Sequence, residues 1–243
     1  MNNLGAHIYG LAAIMMGGAG LLWADFATGG LKIPAALPGR VILAYAVAVL
    51  LIAGGVLINW RRAWGALLLA AIFGACFLLV DLMPLVMHAS MFDYWEATAE
   101  PLALTMGGLI AFAAPSSPLS RIATYVFGAC LLVFGTAHFV FAKFSATFVP
   151  SYLPPSQMFW VYLTGAAAIA AGLAILSGIL SLLAARLLTL MYVLFGILVH
   201  TPFVLAPKAN RGNWVEFMVN LGLAGAAWIV ADALAARRAM SPR

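Results

Sequence analysis

Charge is the scarcest commodity in this sequence: only 8% of its 243 residues are Asp, Glu, Lys or Arg, against about 25% in an ordinary soluble domain. With 65% hydrophobic residues and a mean hydropathy of +1.08, that scarcity excludes a soluble globular domain. Cysteine is almost missing as well. The two present, Cys76 and Cys130, fall near the middle of different apolar segments, which argues against a disulfide framework or a redox-active dithiol and for small apolar packing. There is no Cys-x-x-Cys-His, no cysteine cluster and no HExxH, so no metal spacing and no catalytic set can be read. Basic patches are absent too. The formal charge is +5 and the pI near 9.5, but the Lys and Arg residues are scattered between apolar segments, where they act as topology signals rather than a nucleic-acid surface.

What the sequence does have is length in its apolar runs. A membrane-crossing helix needs roughly 20 apolar residues, and eight stretches of that kind can be drawn, at about 5–25, 41–58, 63–87, 98–114, 121–142, 157–177, 182–205 and 214–235. None shows the apolar/polar alternation of a barrel strand, so the expected fold is all-α, a polytopic membrane protein of eight transmembrane helices. The N-terminal segment lacks a basic n-region and runs on to Trp23 and Asp25, so it reads as a retained first span.

If all eight segments cross, one side holds Arg61, Arg62, Arg121, Arg186, Arg237, Arg238 and Arg243, and the other Lys32, Arg40, Lys143, Lys208 and Arg211. The positive-inside bias puts both termini in the cytoplasm. The acids are more one-sided: Asp25, Asp81, Asp93, Glu96, Glu100 and Glu216 fall toward the outer side, and Asp232 alone toward the inner. His88, His138 and His200 also lie outward, so the chemistry is expected to face the periplasm or extracellular space.

The sequence repeats itself. Ile33-Pro-Ala-Ala-Leu-Pro38 and Val149-Pro-Ser-Tyr-Leu-Pro154 share a pattern at an offset of 116 residues. With small slips, Ala53-Gly-Gly55 then matches Ala170-Ala-Gly172, Leu79-Val-Asp81 matches Leu198-Val-His200, and Trp95 matches Trp214. Two tandem four-helix repeats, 1–118 and 119–243, explain this. An even number of crossings per copy makes them parallel, related by an axis along the membrane normal. In this alignment Glu96 and Glu100 stand opposite Glu216 and Asn220, each pair spaced i, i+4 on one helix face. The Pro-rich loops should be rigid caps, since proline forbids regular helix or paired strand there.

The second copy resembles the DoxX-like family of small four-helix membrane proteins, through Gly135-Thr-Ala-His138-Phe-Val-Phe-Ala142, Val149-Pro-Ser-Tyr-Leu-Pro154, His200-Thr-Pro202 and Arg211-Gly-Asn-Trp214-Val-Glu216-Phe217. The likeness covers roughly 121–236; the first copy keeps the Pro loop but lacks the His-Phe, His-x-Pro and Arg-Gly-Asn-Trp runs. It implies a bacterial or archaeal inner-membrane protein associated with quinone-linked redox complexes.

Candidate ligand-binding residues are the polar groups that lipid would otherwise forbid. His138 is expected roughly 9 Å inside the outer end of the fifth helix. It is read as a neutral histidine bonded between helices, as a hydrogen-bonding partner of a quinone, or as an axial ligand together with His200. His200, just before Thr201 and Pro202, is either an interfacial cap or part of the same pocket. Glu216 and Asn220 form a pocket wall or a helix cap. Arg211 is expected to pair with Glu216 or hold an anionic headgroup. Trp214 belongs to an aromatic belt or stacks on a ligand ring. Asp81, an acid inside an apolar run, must stay protonated or find a partner such as Arg40 or His88.

The leading function is an inner-membrane accessory or redox-associated protein whose polar outer pocket binds quinone or quinol. Lacking haem, flavin or iron–sulfur ligands, such a chain needs a redox partner subunit. The alternatives are a non-enzymatic assembly or docking subunit, and a lipid or small-molecule pocket protein.

Overall fold

The computed structural model describes residues 4–28 and 33–240; Lys32 and Arg243, read above as topology charges, lie outside the described residues. Among the described residues the regular structure is all helical. Its long helices are α1 (Leu4–Trp23), α2 (Arg40–Asn59), α3 (Ala63–Met87), α4 (Phe92–Phe112), α5 (Pro118–Val140), α6 (Gln157–Ser177), α7 (Ser181–Leu205) and α8 (Arg211–Met240). Among the described residues seven of these, all but α4, are long and apolar enough to cross a membrane. Their outward faces carry large apolar side chains, such as Leu22, Ile42 and Leu79, on a scale that only lipid contact or a partner would tolerate.

Small residues set the packing. Without a hydrophobic driving force between helices in lipid, association depends on close van der Waals approach. In the α1/α2 crossing a Cβ at Gly17 would stand 2.5 Å from the Ala48 carbonyl oxygen, and one at Gly55 would collide with that of Gly10. The α5/α6 crossing repeats the arrangement: Gly135 lies against Gly165 and Ile169, and Gly172 against the Gly128 carbonyl. α8 is the central helix: 72% of its most apolar stretch is buried, against 28–44% for the other six candidates. α1 lies antiparallel on α8, with Gly5 against Trp228 and Tyr9 against Gly225, and the Tyr9 hydroxyl donates to the Leu104 carbonyl of α4 at 2.7 Å. α4 runs parallel to α8, so that Gly107 meets Ala226 and Leu104 meets Gly222.

Two features break the helical regularity. α3 widens into a π-helical turn at Phe77–Asp81 and α7 does so at Gly196–His200. Each turn is followed within three residues by a proline, Pro84 or Pro202, which cannot donate to the carbonyl four residues back. π turns inserted in α-helices are frequently found at functional sites.

The Pro-rich loops are hooked in place from the start of the following helix. Arg40 donates to the Ile33 and Pro34 carbonyls and pairs with Asp25 at 2.7 Å. At the start of α6, Gln157 donates to the Ala146 and Val149 carbonyls.

Candidate functional site

The most distinctive polar feature lies where α3 meets α4. The π turn ends at Asp81, and its side chain is turned inward, 8% exposed, with Oδ2 buried and without a hydrogen-bond partner. A buried polar group without a partner is costly, and far more so in a membrane. Beyond Met87 the chain leaves the helix at His88, and the turn returns through Met91 into α4, stacking the His88 ring on that of Tyr94 at 4.8 Å. Asp81, Met83, Met87, His88, Tyr94 and Thr98 thereby enclose a cleft of about 270 Å³. The Thr98 hydroxyl donates to the Tyr94 carbonyl at 2.6 Å, so its proton is already engaged. Met83 and Met87 are 64% and 69% exposed, which makes the mouth apolar and open toward the bundle's outer face. A buried carboxyl without a partner can take a hydrogen bond from a hydroxyl or N–H in either protonation state, so this cleft suits a ring that presents such a group to Asp81 and an apolar tail to the mouth.

Of the two partners expected for Asp81, Arg40 is committed to Asp25 and His88 to its stack on Tyr94. Tyr94 and Thr98 were not singled out by the sequence. Their signal is only their place on the first turns of α4, opposite the acid.

The other six candidates belong to the second half. His138 stands in the last turn of α5, which ends at Val140, and not several residues deep as expected, because the chain breaks at Phe141 and restarts as a one-turn helix, Ala142–Ala146. Its Nδ1 bonds to the Phe134 carbonyl at 2.9 Å, and its ring stacks on Phe195 of α7. The hydrogen bond thus lies within α5 and not between helices as expected, and only the ring stack reaches across to α7. His200 ends the α7 π turn, half-buried, and the neighbouring Thr201 hydroxyl donates across that turn to the Gly196 carbonyl at 2.7 Å. Asn220 is buried and donates to the Tyr192 carbonyl at 3.0 Å, just before the same turn. Asn220→Ala is expected to destabilise the fold by about 1–2 kcal/mol, the usual cost of stranding such a carbonyl; earlier unfolding in a detergent titration is the readout.

Glu216 is exposed on α8, within Coulombic range of Glu96 on α4, so the acids aligned between the halves do approach one another. The expected Arg211–Glu216 ion pair is not formed. Arg211 lies over the Trp23 ring at 5.5 Å, because the first turn of α8 packs beside the end of α1. Trp214 is exposed and edge-on to Phe217. Both cysteines are free thiols. Among the described residues no three His, Cys, Asp or Glu side chains converge as metal ligands would.

The sequence readings missed Arg237 as more than a topology charge. It donates to the Pro115 and Ser120 carbonyls and to the Ser120 and Thr124 hydroxyls, joining the end of α8 to the α4–α5 connection.

Fold and cleft together define an all-helical bundle of several long apolar helices, compatible with a membrane protein, that carries a polar pocket beside a π turn. Residues 127–232 match a family model described as a domain of unknown function (DUF8561). No curated protein and no solved structure matches the chain.

Proposed function

We propose that this chain is a DoxX-like inner-membrane protein that binds quinone or quinol in the Asp81 cleft and hands it to, or takes it from, a redox partner subunit. The observation that carries the reading is the buried Asp81 Oδ2 without a partner, beside the stacked His88 and Tyr94 rings. A quinol hydroxyl would donate to Asp81, and its ring would lie along the aromatic pair. Ordinary ligand pockets start at about 300 Å³, so a cleft of about 270 Å³ holds a ring head and leaves an apolar tail among Met83, Met87 and lipid.

In the same reading the bundle crosses the membrane eight times, with α4 as the remaining span, as two parallel repeats over 1–118 and 119–243, both termini cytoplasmic. Supporting the repeats, Gly107 touches Ala226, its own counterpart at the offset of 119 that also relates Asp81 to His200 and Trp95 to Trp214. Contacts between equivalent positions are what a twofold axis between the repeats requires. The paired π turns and paired glycine crossings agree. α4 falls short as a candidate span because Asp93, Glu96 and Glu100 crowd its start, yet Ala103, Leu104 and Gly107 bury it in the bundle centre.

The test is organic extraction and mass spectrometry of protein purified from native membranes. A bound quinone is expected in the wild type, falling about tenfold in Asp81→Leu, the loss of one hydrogen bond to a buried carboxyl, and staying unaltered in His138→Ala. Wild-type protein free of quinone, or Asp81→Leu protein that still holds it, overturns the reading.

A further inference from the structure

A second, separate feature sits where α5 ends. The chain breaks at Phe141, with φ −106° and ψ 30°, and the one-turn helix that follows packs Ala142 and Ala146 on Val161 of α6. This leaves a groove of about 450 Å³ between the end of α5 and the start of α6, walled by Phe139, Phe144, Met158 and Tyr162, with Lys143 among its lining residues. Phe139 and Tyr162 stack at 5.6 Å and 20°. Phe139, Phe144 and Tyr162 are all exposed, so a flat aromatic wall faces outward where the bundle meets lipid.

Charge singles the place out. In the first half Asp25 stands just past the end of α1, and its ion pair with Arg40 at the start of α2 closes that corner. At the corresponding corner of the second half, where α5 ends and α6 begins, the charge is Lys143, and Gln157 at the start of α6 is spent on the Ala146 and Val149 carbonyls. The exposed Lys143 has no acidic partner among the described residues. The corner thus carries a cation whose counter-charge the chain does not supply, at the end of an apolar aromatic wall.

We propose that this groove binds an anionic phospholipid, with its phosphate on Lys143 and an acyl chain along Phe139, Tyr162 and Phe144. A lysine at this level can lay its methylenes on the aromatic wall and hold its ammonium at headgroup height. A soluble anion would satisfy the charge but make no use of the wall. The site is independent of the Asp81 cleft.

Full-length protein in nanodiscs of mixed phosphatidylglycerol and phosphatidylcholine, released into a native mass spectrometer, tests it. The wild type is expected to retain phosphatidylglycerol in preference to phosphatidylcholine, even in excess inorganic phosphate. Lys143→Gln should retain about fivefold less, the effect of roughly one basic residue at a charged membrane surface, and Lys143→Arg should behave as wild type. Lys143 is exposed, so the variants fold. Equal retention of the two lipids by the wild type, unchanged retention by Lys143→Gln, or displacement by phosphate overturns the proposal.

Discussion

Gly225→Ala is expected to destabilise the bundle by at least about 3 kcal/mol, the upper end of the range for overpacking, while Gly18→Ala, the same change one helix away, leaves stability unaltered or slightly raised. The added carbon at Gly225 would stand 2.5 Å from the Tyr9 amide nitrogen and 2.8 Å from its Cα. Those atoms are backbone and cannot rotate away, so α1 and α8 must move apart. Separation would also pull the Tyr9 hydroxyl from the Leu104 carbonyl, stranding a buried acceptor. At Gly18 nothing lies within 4 Å, and alanine is the better helix former by about 1 kcal/mol. Thermal unfolding of the detergent-purified variants, followed by loss of the monodisperse species, checks both. Equal melting of the two variants would refute the claim that helix contact, rather than helix propensity, decides the outcome.

The contrast between these glycines marks how far the sequence was legible. Spacing of Gly and Ala announces close helix approach, but it does not say which helix approaches. Apolar run length located the long helices well, and 63–87 and 157–177 coincide with α3 and α6, because an uninterrupted apolar run of that length forms one continuous helix. The start of α4 was misplaced by about a turn and a half: the expected start was residue 98, but the helix begins at Phe92. Asp93, Glu96 and Glu100 hid it, since they break the apolar pattern while their backbone stays helical. The π turns left no periodic trace either, as one widened turn shifts the phase of a helix without changing its composition.

The candidate site was legible one residue at a time. Asp81 stood out as an acid within an apolar run, and the structure does leave it buried with an oxygen unpartnered. His138 stood out for the same reason, yet its hydrogen bond is local, to Phe134, which a sequence cannot distinguish from a waiting donor. Tyr94 and Thr98 carry no signal of their own, because their meaning comes from facing Asp81 across a turn. Arg211 shows the same limit: Glu216 is five residues away in sequence, but the guanidinium lies over the Trp23 ring.

Arg237 leads to the other large expected effect. Arg237→Ala should cost about 2–4 kcal/mol, since hydrogen bonds to a charged donor contribute roughly 1.5–3 kcal/mol each in net terms and do not add fully. Its guanidinium holds Pro115 at 2.7 Å and Ser120 and Thr124 at 2.8–2.9 Å, and both hydroxyl residues are almost wholly buried. Arg238→Ala, next in sequence and exposed, should fall within about 0.5 kcal/mol of wild type. As a topology signal Arg237 needs only its charge, whereas the clamp needs a planar fork that reaches carbonyl and hydroxyl at once. Arg237→Lys separates the two roles. It is expected to keep the insertion orientation, read by cysteine accessibility at the termini, and to lose most of the stability lost by Arg237→Ala, read by unfolding in detergent. A lysine variant as stable as wild type would reduce Arg237 to a charge at the membrane surface.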